Sequence, residues 1–487
     1  MNVASVAQIR VLEQRAVSAG IPEYELMLRA GRLAAKIIEQ RFPQRKRTVV
    51  LCGSGNNGGD GLVTAAHLSG TVIVYALKPL ENLSGAAGCA AADLPANVAV
   101  FQRETLDESC FEPGDLIVDA LLGIGFSGAL RENVKSYITA ANASGCRCAA
   151  LDLPSGVDGD TGVVQDIAVN ADLTITFGAV KSGLLLADGP KYCGVLETAD
   201  IQLERIPDAV EAVTFHEAMK MFPRFFSDVH KNQKGELLIV SGSETFSGAA
   251  ALTARAAVRT GTGIVRLICH SARKSIPDAV IFRELPGNDG VLDSGVFDIC
   301  RDWVDRSDAV ICGPGLGTAP VKVVADALAF EGKVLLDADA LNIVSRNPGI
   351  WKKRADILIT PHWGEAVRLA DAFGIRFSGR EQLACCLADE LSCCVLLKGK
   401  NTVVAVPQGK YRYVLPGSSS LATAGSGDVL SGIIGALLAM GLSPADAAVA
   451  GAALHGKAGE CAGYGMIADD LDHLLYEVFQ KYKNGLL

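Results

Sequence analysis

The stretch Thr423-Ala-Gly-Ser-Gly-Asp-Val-Leu-Ser-Gly432 sets a turn of small residues and one carboxylate, Asp428, directly before a long apolar run from Val429 to Leu442. That run reads as a buried helix, which makes the turn its N-terminal mouth. Backbone amides at Gly425, Ser426 and Gly427 would point out of the mouth, and the helix dipole adds partial positive charge there. The result is an anion hole with a carboxylate beside it. Such a pair suits phosphoryl transfer to a hydroxyl, because the acceptor proton must leave while charge develops on the phosphoryl oxygens. Taken alone, the same stretch also reads as an ordinary helix start in which Asp428 complements the dipole.

Upstream, short apolar runs end repeatedly in Gly- or Pro-containing loops. Asp308-Ala-Val-Ile-Cys312 enters Gly313-Pro-Gly-Leu-Gly317, Asp356-Ile-Leu-Ile-Thr360 enters Pro361-His-Trp-Gly-Glu365, and Cys394-Val-Leu-Leu397 enters Lys398-Gly-Lys-Asn-Thr402. Continuous apolar runs of this length are buried strands of a parallel sheet, whose loops gather at the carboxyl edge where ligands bind. The order of GPGLG, TPHxGE, KG and GSGD over residues 215–487 resembles the ribokinase-like family, and within it the NAD(P)H-hydrate dehydratase branch.

The front half carries a different signal. Thr48-Val-Val-Leu51 is a short strand leading into Cys52-Gly-Ser-Gly-Asn-Asn-Gly-Gly-Asp-Gly61 and then a helix pattern through Leu68. Gly53, Gly55 and Gly58 satisfy the dinucleotide fingerprint formally. The next strand, Thr71 to Leu77, ends in Lys78-Pro79, so no acid stands at its tip to hold a ribose. The loop instead carries Asn56, Asn57 and Asp60. Two more strand ends follow: Asp115 to Asp119 enters Ala120-Leu-Leu-Gly-Ile-Gly-Phe-Ser-Gly128, and Cys148 to Asp152 enters Leu-Pro-Ser-Gly-Val-Asp158. Together these resemble the NAD(P)H-hydrate epimerase family over residues 1–210. The whole chain thus resembles fused hydrate-repair enzymes, epimerase first.

Composition agrees with two α/β domains. The 487 residues exceed one ordinary core, and two units of about 210 and 270 residues fit the usual domain range. The expected division is 1–213 and 214–487, two three-layer αβα domains, the first Rossmann-like and the second ribokinase-like. A net charge of −9 argues against a general nucleic-acid binder. The 14 cysteines lack paired metal spacing, and Cys385-Cys386 and Cys393-Cys394 are adjacent doublets, so free thiols in a reducing cytoplasm are expected. Met1 to Arg10 lacks signal-peptide character, and Val429 to Leu442 is too short and too Gly-interrupted to span a membrane.

Residues 8–41 read as helical, followed by strands near 48, 72, 98, 116, 148 and 173. The stretch from Ile201 to Ser227 reads as an interdomain connection. A new strand starts at Gly235, a helix covers Gly248 to Thr260, strands follow near 265, 309, 334, 357 and 395, and two helices close the chain. Residues 447–458 suit a core or a subunit interface equally, leaving a homo-oligomer open.

The resemblance implies roles residue by residue. In the first domain Asn56, Asn57, Gly58, Gly59 and Asp60, with Gly123, Ile124, Gly125, Phe126, Ser127, Gly128 and Ala129, match positions that line the hydrate. Asn57, Asp119 and Ser155 match potassium ligands, all oxygen donors as a hard cation requires. Asp152 matches a substrate contact and is the expected proton-transfer group. In the second domain Ala249, Gly317, His362 and Asp428 match hydrate-binding positions. Lys398, Gly399, Lys400, Asn401 and Thr402, with Gly427, match nucleotide-binding positions, and Asp428 is the expected base. Asp337 and Asp339 fit water-mediated Mg²⁺ binding or helix capping equally. The resemblance implies ADP as donor, although no loop residue separates ADP from ATP. The alternatives are a vitamin or pyrimidine kinase fused to a nucleotide-binding module, and a first half acting as a scaffold or ligand sensor.

Overall fold

The computed structural model describes residues 1–207, 209–223, 230–271, 276–463 and 465–487. The chain divides into two compact units, Met1–Val210 and Glu211–Leu487.

The first unit is built on a seven-stranded parallel sheet. Its order is Ala99–Gln102, Thr71–Ala76, Arg47–Cys52, Leu116–Ala120, Arg147–Leu151, Leu173–Phe177 and Val195–Ala199. Val49, Val50 and Leu51 are fully buried, as are Ile117 and Val118, because helices cover both faces of the sheet. The chain leaves the central strand Arg47–Cys52 in one direction and returns to its other side at Leu116–Ala120. That reversal is a topological switch point, where two strand-end loops diverge and leave a crevice.

The helical reading of residues 8–41 needs correction. Two helices, Val6–Ser18 and Glu23–Arg41, are separated by Gly20 in a left-handed conformation (φ 96°) and by Pro22. Gly20 supplies the turn that other residues resist, and Pro22 fixes the entry to the second helix.

The second unit carries a ten-stranded sheet ordered Glu211–Val213, Lys410–Val414, Thr402–Val406, Cys394–Leu397, Ile357–Ile359, Lys333–Leu336, Ala309–Cys312, Glu236–Val240, Ile264–Cys269 and Ile281–Glu284. Only Thr402–Val406 runs antiparallel to its neighbours. Here the switch point lies between Glu236–Val240 and Ala309–Cys312, which pair directly. The helix Ser426–Ala439 packs over these strands with Val429, Ile433, Ile434, Leu437 and Leu438 buried. Pro444–Cys461 lies beside it, and its alanines from Ala447 to Ala458 belong to the core of this unit. No helix among the described residues is long and apolar enough to cross a membrane.

The stretch read as a connection is not featureless. Glu211–Val213 joins the second sheet, and Thr214 and Glu217 form a capping box that starts the helix Phe215–Met219. The Ser/Thr-x-x-Glu spacing of that box was visible in the sequence. Residues 208 and 224–227 of the stretch lie outside the described residues. All 14 cysteines are free thiols.

Candidate active sites

In the first unit the strand Arg47–Cys52 turns at Gly53 into the helix Asn56–His67. A methyl group on Gly53 would lie 1.9 Å from the Leu121 carbonyl oxygen, and one on Gly58 would lie 2.1 Å from the Gly53 oxygen. These glycines therefore let the turn press against the neighbouring strand-end loop. Gly58 and Gly59 face this packing rather than the cavity, Gly59 lying against Met27. Asn56, Asn57 and Asp60 do line a cavity of about 780 Å³, together with Gly123, Ile124, Gly125, Phe126, Ser127 and Ala129. Gly128 is exposed and outside that lining.

Asn57 and Ser155 both hydrogen-bond the backbone of Leu122, and Ser155 in turn holds Asp119. Asn57 Nδ2 donates to the carbonyls of Leu122 (2.8 Å) and Leu151 (3.2 Å), while its Oδ1 is buried without a hydrogen-bond partner. Ser155 donates to Asp119 through both its hydroxyl and its amide, at 2.7 Å each. Burial pushes the Asp119 carboxyl up to about 6 against those hydrogen bonds, and no cationic side chain among the described residues pairs with it.

Asp152 ends the strand Arg147–Leu151 in a left-handed conformation (φ 65°). Its Oδ1 is ion-paired with Lys181, a residue the sequence reading missed. Lys181 is 1% exposed, and its ammonium also donates to Thr176 Oγ1 at 3.2 Å and to the Phe177 carbonyl at 2.8 Å. Its three protons are thus committed. Asp152 Oδ2 stays on the cavity side, 3.5 Å from where a side chain on Gly123 would begin. Nearby, burial and then the Asp152 charge push the carboxyls of Asp60 and Glu13 upward.

In the second unit Asp428 sits in the first turn of the helix Ser426–Ala439, after Gly425 in a left-handed conformation (φ 87°). Burial, followed by the charges of Asp337 and Asp339, pushes its carboxyl up to about 7, with Lys398 opposing. Lys398 donates to Asp337 Oδ1 at 2.8 Å, and Ser431 donates to Asp337 Oδ2 at 2.7 Å. A side chain on Gly427 would begin 3.5 Å from the Lys398 ammonium, so the helix mouth, the lysine and the base share one spot.

Around that spot the strand-end loops contribute as follows. The Gly317 amide donates to Asp339 Oδ2 at 2.8 Å, and Ala249 packs under Gly315. Asp339 opens the helix Asp339–Arg346 without capping it through its side chain. His362 is exposed and caps the helix Trp363–Ala372, its Nδ1 accepting from the Gly364 amide at 3.0 Å. In the loop Gly399 to Thr402, Asn401 adopts φ 51°, Thr402 Oγ1 donates to the Gly399 carbonyl at 3.1 Å, and the exposed Lys400 offers its carbonyl to Arg380 at 2.9 Å. A buried partner also escaped the sequence reading: His455 Nε2 lies 3.1 Å from Ser426 Oγ, and burial lowers that imidazole to about 4.

Fold and geometry define an α/β protein with two separate strand-edge clusters, the second having a helix mouth with an adjoining carboxylate and lysine. Comparison with known proteins sharpens this. One family model, described as YjeF-related protein N-terminus, matches residues 23–183, and another, described as NAD(P)H-hydrate dehydratase, matches residues 237–479. The Bifunctional NAD(P)H-hydrate repair enzyme Nnr of Coxiella burnetii is 35% identical, the match covering 95% of this chain and 96% of that protein. Its Escherichia coli counterpart of the same name is also 35% identical, over 94% of this chain and 90% of that protein. A solved ADP/ATP-dependent NAD(P)H-hydrate dehydratase from Bacillus subtilis, co-crystallised with ATP/Mg²⁺, is 24% identical with a TM-score of 0.45, covering 56% of this chain and 99% of that one. The chain belongs to the bifunctional NAD(P)H-hydrate repair enzyme family.

Proposed function

We propose that the unit Met1–Val210 interconverts the R and S forms of hydrated NADH and NADPH, and that the unit Glu211–Leu487, which begins with the strand Glu211–Val213 three residues before the boundary expected from the sequence, returns the S form to NAD(P)H using ADP or ATP as phosphoryl donor. The reading rests above all on Asp428, held near neutrality at a helix mouth beside Lys398 and Gly427.

Hydroxide is a poor leaving group, whereas a phosphate ester leaves readily, so the donor has a chemical purpose. Asp428 takes the proton from the ring hydroxyl as that oxygen attacks the terminal phosphoryl group. The amides from Gly425 to Gly427 and the Lys398 ammonium stabilise the migrating phosphoryl as AMP leaves from ADP, or ADP from ATP; phosphate then departs from the ring carbon with a proton lost from the adjacent carbon, and the new double bond restores the dihydronicotinamide. Asp337 and Asp339, carboxylates at the end of the strand Lys333–Leu336, are the residues that would hold a Mg²⁺, which would neutralise the donor's phosphates.

Epimerisation breaks the C–O bond at the hydroxyl-bearing ring carbon, the hydroxyl taking a proton and leaving as water while the ring nitrogen's lone pair closes an iminium, and remakes it when water adds to the opposite face and returns the proton. Asp152 Oδ2 is the proton-transfer atom, since Oδ1 is engaged by Lys181. The unpartnered Asn57 Oδ1, the buried Asp119 and the Ser155 hydroxyl fit K⁺, an oxygen-seeking cation that would supply the missing positive charge between the two strand ends. Incubating the protein with mixed-epimer NADH hydrate plus ADP, and separately ATP, while following NADH absorbance tests the whole reading. Recovery of more than one epimer's share supports both activities, and no recovery with either donor overturns it.

A further inference from the structure

The first unit's cavity continues into a second chamber of about 570 Å³. Both chambers share Arg10, Glu13, Asn56, Asp60 and Phe177, so these five residues form a waist between two lobes. Asp152 and Lys181 line only the first lobe, which fixes that lobe as the reacting end. The second lobe is walled by Val17, Leu26, Met27, Ala30 and Ile201, mostly from the two N-terminal helices to which the sequence reading gave no role.

We infer that this second lobe, with Glu13 at the waist and Glu23 on its wall, binds the adenosine half of the dinucleotide hydrate. The inference rests on the epimerase reading and adds a subsite to it. A dinucleotide is two ring-bearing halves joined by a diphosphate, and the shape of the cavity repeats that division. For a diphosphate the waist offers the Arg10 guanidinium and Asn56 at the N-terminus of the 12-residue helix Asn56–His67, while its two acids, Glu13 and Asp60, are pushed by burial toward the uncharged form that a diphosphate tolerates. Arg10 also donates to the Ile124 carbonyl at 3.2 Å, tying the N-terminal helix to the loop that lines the first lobe. Apolar walls suit the faces of a purine. Dinucleotide sites commonly hold a ribose through an acid at the tip of the second strand, and this sheet has Lys78-Pro79 there. Glu13 and Glu23 supply carboxylates from the helices instead. Glu23 is fixed in place by accepting from Asn56 Nδ2 at 2.8 Å.

The test compares epimerisation of NADH hydrate with that of the corresponding mononucleotide hydrate, which keeps the hydrated ring, ribose and one phosphate and lacks the adenosine half. Full-length protein is used without phosphoryl donor, and the R and S forms are separated chromatographically. Val17 is 45% exposed on the lobe wall, so Val17→Trp fills the lobe without entering the core. The expected result is a wild-type KM for the mononucleotide at least about tenfold above that for NADH hydrate, roughly one buried ring's worth of affinity. Val17→Trp should raise the NADH-hydrate KM about tenfold at little-changed kcat and leave the mononucleotide kinetics as they were. Ser18→Trp repeats the test should Val17→Trp fold poorly. Equal wild-type KM values, or a variant that shifts both substrates alike, overturn the subsite. Wild-type protein that epimerises neither hydrate overturns the epimerase reading itself.

Discussion

Both units place a lysine against a strand-end aspartate, and they use the pair in opposite ways. In the first, Lys181 gives its three protons to Asp152, Thr176 and Phe177, so it can only hold its partner. In the second, Lys398 spends one hydrogen bond on Asp337 and stands at the mouth of the helix carrying Asp428. A lysine with every donor committed is a positioning device, whereas one with donors to spare beside an anion hole can follow a phosphoryl group. The acids differ likewise. Asp119 and Asp152 extend from neighbouring parallel strands, but Asp428 of the second unit comes from a helix far along the chain from its switch point.

The largest expected effect tests whether Asp428 is a base or a helix-dipole partner. Asp428→Asn keeps shape but removes the carboxylate, so dehydration should fall by about 10²–10⁴-fold while epimerisation continues. With the carboxyl near 7, it is protonated below and ionised above that pH. The wild-type kcat/KM for dehydration should therefore climb through about pH 7 and level off above it. A flat profile, or near-normal turnover in the variant, would return Asp428 to a structural role.

The committed lysine gives the next contrast. Lys181→Met strands a buried carboxylate and should destabilise the first unit by about 3–5 kcal/mol, since a buried ion pair broken on one side leaves an uncompensated charge. Lys398→Met likewise strands a buried carboxylate, Asp337, which keeps only the Ser431 hydroxyl as a donor, so it too should lower the stability of its unit, and it should in addition slow phosphoryl transfer while epimerisation continues. Identical effects in calorimetry and in turnover would erase the distinction between the two lysines.

A smaller effect concerns the oxygen cluster. Asp119→Ala should slow epimerisation by about 10–100-fold, the usual scale for disturbing a metal site, and flatten its dependence on potassium concentration while dehydration is untouched. If the wild-type rate is already indifferent to potassium against sodium or choline, the ion has no part in the site.

Much of this architecture was legible because buried parallel strands must be apolar throughout, as Val49 to Leu51 and Ala309 to Cys312 are, and because ligand loops follow them. What escaped obeys other rules. Lys410–Val414 and Ile281–Glu284 carry charges and half-exposed faces, so no apolar period marks them. Val195–Ala199 lies at the sheet edge with Val195 exposed. Lys181 and His455 reach their sites from strands and helices without a glycine-rich signature, and only tertiary packing brings them to Asp152 and Ser426. Gly58 and Gly59, whose motif suggested ligand contact, also carry a packing demand, since a side chain on either would strike Gly53 or Met27.

The smallest expected effect separates two jobs at His362. Its Nδ1 caps the helix Trp363–Ala372, and its Nε2 lies 3.5 Å from Glu365 Oε1 at the loop edge. Burial, Lys398 and Arg368 hold the imidazole below its usual value, so at neutral pH Nδ1 is free to accept from Gly364. Asn is as good a cap as any residue but has no counterpart to Nε2. His362→Ala should therefore lower stability by about 1 kcal/mol, a shift of roughly 2–4 °C for a unit of this size. His362→Asn should recover that stability. If Nε2 also meets the hydrate, both variants should share a severalfold rise in hydrate KM at little-changed kcat. A normal KM in His362→Asn would make His362 a helix cap alone, and hydrate recognition in the second unit would then rest on Gly317, Ala249 and Asp428.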